Sequence, residues 1–209
     1  CYNASKYSVR NNIQSMVDFY NDELARFNEQ YKGLNTKIRA EKAHEFINND
    51  TTKISWTRAL KADLAKDKPL GYDEKKITKS LYRPFSKQNL YFDRRLNEMV
   101  LQMPRVFPDA TVENLVIQIN ANYKNNGFVA IISDALPDLH CNGDSQCFPL
   151  YLYEKNEDDA IDFGDTNDLF AEKPKQATES GYTRKDGISD TGLAHFQQAY
   201  PSEVLSKED

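Results

Sequence analysis

The chain has 209 residues, 39% hydrophobic and 28% charged, with 12 Tyr and 11 Phe. That is enough for a real core in one medium domain, or in a domain with a helical appendage, without disulfide staples. Its formal net charge of −5 excludes a uniformly basic nucleic-acid binder, no apolar run reaches the roughly 18 to 20 residues of a membrane span, and no signal peptide opens the chain. Cys1, Cys141 and Cys147 are too few for a secreted disulfide framework, so reduced thiols, a cytoplasmic setting and no membrane partner are expected.

Ile13, Met16, Val17, Tyr20, Leu24, Phe27 and Tyr31 recur at spacings of three and four, which predicts an amphipathic helix from about Ser8 to about Lys32, ended by Gly33. A second helix over Asn35 to Ile47 precedes the polar Asn48-Asn49-Asp50. Ile54-Ser55-Trp56 reads as a short strand, and Thr57 as the cap of a helix through Ala65, before Pro69 and Gly71 interrupt. The pattern then turns to strands. Lys79 to Phe85 and Asn89 to Asp93 alternate around Pro84, Ser86 and Lys87 as a hairpin would, and Leu115 to Ile119, Phe128 to Ile132 and Phe148 to Tyr153 are short β-rich runs. About five strands in one mixed or antiparallel sheet is the economical reading. An acidic, poorly patterned stretch follows to Tyr182, and Ser189 to Ala199 recovers a short helix with Leu193 and Phe196 on one face. The absence of an initiator Met and of a closing element after Asp209 leads us to expect a piece of a larger protein.

Charge is unevenly distributed. Lys76 to Arg105 holds seven basic residues (Lys76, Lys79, Arg83, Lys87, Arg94, Arg95, Arg105) against Asp93 and Glu98, a balance of +5; Glu154 to Glu172 holds eight acidic residues against Lys155, a balance of −7.

Catalytic signatures are scarce. Neither GxxxxGK[ST], GxGxxG nor GxSxG occurs, which disfavours an ATPase, a dinucleotide enzyme or a serine hydrolase. His140-Cys141 with Cys147 carries some zinc flavour but lacks an obvious fourth ligand. Asp138 with Glu154-Lys155 approaches a metal-dependent nuclease pattern, yet that pattern wants one residue between acid and lysine. On a strand the adjacent pair points to opposite faces. No metal site is expected.

The basic segment is richer. Arg and Lys neutralise phosphates and release counterions, while Arg, Asn and Gln can form bidentate bonds to base edges. Arg83, Lys87, Gln88, Asn89, Arg94, Arg95 and Asn97 supply these groups together. Equally, this can be a solvated hairpin whose Tyr82, Phe85, Leu90, Tyr91 and Phe92 fill a core. Residue chemistry alone leaves both readings open.

The blocks Ser80 to Leu96, SLYRPFSKQNLYFDRRL, and Asp134 to Glu154, DALPDLHCNGDSQCFPLYLYE, together resemble the C-terminal specificity region of the single-polypeptide type ISP restriction-modification enzymes. The likeness extends to Tyr2 to Phe27 and, more weakly, to Lys185 to Pro201; Cys141 stands where an apolar residue is expected. The resemblance implies a parent joining a nuclease, a DNA-translocating ATPase, an adenine-N6 methyltransferase and a target recognition domain, of which this chain is the last part. The implied fold is α+β: a helical spacer over 1–70 following the methyltransferase, then a mixed or antiparallel β-sheet recognition domain over 71–209, with an acidic loop around 154–182. No NPPY-type motif is present, so no catalysis and no cofactor are expected here, S-adenosylmethionine, ATP and Mg2+ belonging to the parent. The expected partners are double-stranded DNA and the methyltransferase and translocase domains of the same polypeptide. Arg83, Lys87, Arg94 and Arg95 are expected on phosphates; Gln88, Asn89 and Asn97 on base edges; Tyr82, Phe85, Tyr91 and Phe92 in packing. The alternative is a structural coupler between domains with only nonspecific DNA contact.

Overall fold

Helix α1, Lys6–Gln30, forms where the apolar stripe runs, with the Ser5 side chain accepting a hydrogen bond from the Ser8 amide at its start. The computed structural model describes residues 2–121, 127–155, 176–177 and 181–207. The stripe of α1 buries Val9, Ile13, Val17, Tyr20, Leu24 and Phe27, each contributing about 1.5–3 kcal/mol of apolar transfer. Helix α2, Thr36–Phe46, is capped by Asn35, and α3, Arg58–Ala65, by Thr57. These helices, with Ile47, Ile54, Leu70, Ile77 and Tyr91, share one apolar core. Within it Arg39 is nearly buried: its guanidinium donates to the carbonyls of Ala65 (2.8 Å) and Tyr31 (3.2 Å) and to Asn28, and lies over the Phe27 ring at 4.8 Å.

Ile54 to Trp56 is not a strand. Ile54 is buried in the helical core and the Trp56 indole donates to the Asn48 carbonyl, so this short apolar run packs as irregular chain.

The chain divides into two interleaved units, Cys1–Lys79 with Gln88–Leu101, and Ser80–Lys87 with Gln102–Asp209. After a 3-10 turn at Glu74–Lys76, strand β2, Ile77–Arg83, carries the chain out of the first unit, and β3, Ser86–Tyr91, returns it. In the first unit β3 pairs antiparallel with β1, Tyr2–Asn3, with Leu90 opposite Tyr2.

The second unit contains the distal end of this hairpin, a single helical turn α4 (Met103–Val106), and strands β4 (Val116–Asn120), β5 (Ala130–Ser133), β6 (Leu136–Pro137), β7 (Ser145–Pro149), β8 (Tyr151–Lys155), β9 (Gln176–Ala177) and β10 (Tyr182–Asp186). Helix α5, Asp190–Ala199, follows, capped by Ser189. It buries no side chain, and Phe196 is exposed rather than packed. One expected run, Phe148 to Tyr153, is split: β7 joins the antiparallel sheet β5-β4-β7, whereas β8 joins β8-β10-β9. The break falls at Leu150, whose amide donates to Leu115 and whose carbonyl accepts from Gly187. The expected single sheet is thus several small ones. Most of the acidic stretch after Lys155 lies outside the described residues.

Strand β4 has an inverted face. Val116, Gln118 and Asn120 are buried, while Ile117 is exposed between exposed Ile132 and Phe148, its partners across the sheet. Inside, amides replace apolar packing. The Asn114 side chain donates to the Val106 and Tyr151 carbonyls, that of Asn120 bonds the Gly127 carbonyl and the Val129 amide, and that of Gln118 donates to the Asp138 carbonyl.

Candidate nucleic-acid interface

The end of the hairpin is fixed to the second unit from one side. β2 runs parallel to β6, the Ser80 hydroxyl donates to the Leu136 carbonyl (2.6 Å), and the Asp138 amide donates to Leu81 (3.1 Å). From this anchored base the chain reverses at Pro84 and Phe85. Proline before a residue with positive φ is the type II combination, in which glycine or asparagine ordinarily takes the second place. Here Phe85 takes it, at φ +64°, a conformation that costs a side-chain-bearing residue about 1–2 kcal/mol. Its ring was expected in a core but is 93% exposed. Tyr91, by contrast, is buried as expected, stacked on Tyr72 at 5.8 Å, its hydroxyl accepting from the Asp73 amide.

On either side of the tip stand two of the expected phosphate-binding cations. Arg83 lies over the Tyr82 ring at 4.1 Å, donates to the Tyr82 carbonyl and sits 3.7 Å from Asp138. Lys87 donates to the Asp134 carboxylate, which it holds below its ordinary pKa. Both side chains are about half exposed. Ion pairs this open contribute about 0–1 kcal/mol, so a phosphate can replace either carboxylate at little cost. Gln88 is half-buried, and Arg94 is exposed.

Three expected contacts have other occupations. Asn89 is buried, and its amide donates to the carbonyls of Asn3 and Ala4, holding β1 to β3. The Asn97 amide donates to the Tyr91 and Asp93 carbonyls. Arg95 donates to the Pro69 carbonyl and lies 3.8 Å from both Asp63 and Asp93. These donors are engaged within the first unit, closing the turn that follows β3.

The excess of +5 is offset by carboxylates from elsewhere in the sequence. Asp63 faces Arg95, Asp134 faces Lys87, Asp138 faces Arg83, and Glu154 accepts from Arg105 at 2.8 Å. Glu154 also accepts from Lys185 at 2.8 Å. Asp138 and Glu154, weighed above as nuclease carboxylates, are therefore each set against cations. Among the described residues no group of three His, Cys, Asp or Glu is placed to hold a metal ion, and no helix is long and apolar enough to cross a membrane. Cys141 is buried and Cys147 half-buried; burial pushes both thiols up, Cys147 to about 11. The His140 ring lies 3.1 Å from Asp144.

Comparison with known proteins completes the description of the site. The family described as the Type ISP C-terminal specificity domain matches residues 1–209. No curated protein matches. Among solved structures, one described as a cryoEM structure of a DrdV–DNA complex is 27% identical with a TM-score of 0.71, covering 100% of this chain and 17% of that one. A nuclease-deletion mutant of the Type ISP restriction-modification enzyme LlaGI, in complex with a DNA substrate mimic, is 33% identical with a TM-score of 0.63, covering 72% of this chain and 12% of that one. The ATP-dependent Type ISP enzyme LlaBIII bound to DNA is 27% identical with a TM-score of 0.67, covering 100% of this chain and 11% of that one. This chain thus spans less than a fifth of the length of these relatives.

Proposed function

This chain belongs to the Type ISP C-terminal specificity domain family, and we propose that it recognises duplex DNA in a sequence-specific manner on behalf of a larger restriction-modification polypeptide. The observation that carries this reading is the match over the whole chain to a specificity family whose solved relatives are held on DNA. The exposed cations of the hairpin support it locally. Arg83 and Lys87 sit on either side of the tip with weakly held counter-charges, and Arg94 is exposed after β3; these three take phosphates and set register. Gln88, next to Lys87, is the base-edge reader of this reading. Asn89, Asn97 and Arg95 are assigned to holding the strands and turn of the first unit.

In this reading the chain recognises and does not transform. Methylation of adenine, ATP-driven translocation and cleavage belong to other domains of the parent, with S-adenosylmethionine, ATP and Mg2+ as their requirements. One recognition domain then serves both modification and restriction, in the cytoplasm where the DNA is.

The test is a salt titration of the chain on a duplex containing the parent's site and on a scrambled duplex. A specific complex loses affinity steeply with salt and favours its own site at every salt concentration. Arg83→Glu with Arg94→Glu should lower the salt slope and weaken both duplexes alike; Arg95 is left intact because reversing it would disturb the first unit. Equal affinity for the two duplexes refutes specific recognition. The coupler reading has one observation of its own, the exposed row Ile132, Ile117 and Phe148, which another domain of the same polypeptide would cover. It is favoured if the chain binds neither duplex.

A further inference from the structure

Phe85 is packed against nothing among the described residues. A turn of this form is best served by glycine or asparagine, so the backbone does not ask for a phenyl ring; at 93% exposure, the core does not ask for one either. Strain held at an exposed position, with the side chain it presents, marks a place where an external partner supplies the missing contacts. Of the five non-glycine residues with positive φ among the described residues, Asp67 and Asp144 are of a type that tolerates it. Met99 and Leu101 are also apolar and exposed, but less so, at 64% and 63%.

The neighbours of Phe85 indicate what that partner is. Arg83 and Lys87 stand two residues to either side of Phe85 in sequence, so an exposed aromatic group shares with two half-exposed cations a strand end pinned by Ser80 and Leu81. A protein surface that buried the ring would also have to meet both cations. A nucleic-acid duplex offers both kinds of contact at once, phosphates at its edge and apolar base faces within. Apolar wedges that part base steps, and aromatic rings that stack on bases, use this combination.

We propose that Phe85 is a stacking wedge, whose ring packs against a base face at a locally unstacked step of bound DNA while Arg83 and Lys87 hold the neighbouring phosphates. This rests on the DNA-recognition reading above.

A wedge gains when the step it enters is already weakened. The probes are a mixed-sequence duplex and the same duplex carrying one abasic site, titrated against the 209-residue chain by fluorescence anisotropy. The native chain should bind the abasic duplex about tenfold more tightly than the intact one, the scale of one base–aromatic stacking contact. Phe85→Ala and Phe85→Gly should lose that preference while keeping the native salt slope, because no cation is altered. Phe85→Trp should restore it. Gly at this position also removes the backbone strain, so Phe85→Gly tests the ring with the least cost to the fold. The proposal is overturned if Phe85→Gly distinguishes the two duplexes as the native chain does, or if the native chain binds them equally, in which case the ring faces protein. A native chain that binds no duplex at all refutes the DNA reading and the wedge together.

Discussion

The Lys87 ammonium donates a hydrogen bond to the Asp134 carboxylate across the second unit, the two side chains remaining 47% and 62% exposed. In the proposed reading the cation that meets DNA is therefore already partnered, and binding would exchange one anion for another. Asp134→Asn removes the competitor and leaves Lys87 free for phosphate. The expected result is a duplex affinity raised by about two- to fivefold at an unchanged salt slope, since Lys87 meets the same phosphate in both chains. An unchanged affinity would show that Lys87 lies outside the DNA footprint.

Arg39 joins the three helices of the first unit by donating to carbonyls near the ends of α1 and α3. Arg39→Ala leaves those buried acceptors unpaired and should cost about 3 kcal/mol, read as a lower urea midpoint at constant m-value. Arg39→Lys should recover only part, because a single ammonium cannot reproduce the planar fork.

Gly187 is held by contact rather than by its own torsions. A Cβ built there would lie 2.1 Å from the Pro149 carbonyl oxygen, whereas one on Gly71 would meet nothing within 4 Å. Gly187→Ala should therefore destabilise the chain by about 1–3 kcal/mol, and Gly71→Ala should be neutral or mildly stabilising. Equal thermal midpoints for the two variants would mean that β7 and β10 yield more readily than their bonds at Leu150 imply.

At pH 8 the Cys147 thiol, pushed up to about 11, has roughly one molecule in a thousand as the reactive thiolate. Cys141 is raised in the same direction by burial. In a Cys1→Ser chain, iodoacetamide should leave both thiols unlabelled under conditions that fully label the urea-unfolded protein, as followed by intact mass. Rapid labelling of the folded chain would contradict the burial.

Glu74 accepts from Arg10, which holds its carboxyl below the ordinary carboxylate value. A depressed folded pKa gives stability that is complete above the unfolded value of about 4.5 and is lost as pH falls through the lower, folded one. The native chain should accordingly be more stable than Glu74→Gln at neutral pH, with the difference vanishing in acid. Parallel acid-unfolding curves would remove the linkage.

The helices were legible because a 3.6-residue period repeats many times in α1 and because Asn35 and Thr57 cap where their side chains allow. Strands were harder. The run from Phe148 to Tyr153 has no punctuation at Leu150, where the chain changes sheets, and Ile54 to Trp56 looks alike whether it lies in a sheet or against helices. In β4 the β-rich run was legible but not which of its faces is buried, since Asn114, Gln118 and Asn120 are held inside by hydrogen bonds that no periodicity displays. The candidate site was half legible. Charge counting located the cations but not Asp63, Asp134, Asp138 and Glu154, which meet them from distant positions in the sequence. Hydrophobicity consigned Phe85 to a core; the proline before it was the one local sign of an outward tip.

Because the chain enters the second unit at Ser80, leaves it after Lys87 and re-enters at Gln102, neither unit is a contiguous run of sequence. A crossover joining the front of one such chain to the back of another must cut at least one unit, wherever the junction falls between residues 79 and 102. If the chain recognises DNA as proposed, recombination would exchange that specificity most readily as a whole cassette, and point changes on the hairpin would be the other route to a new target.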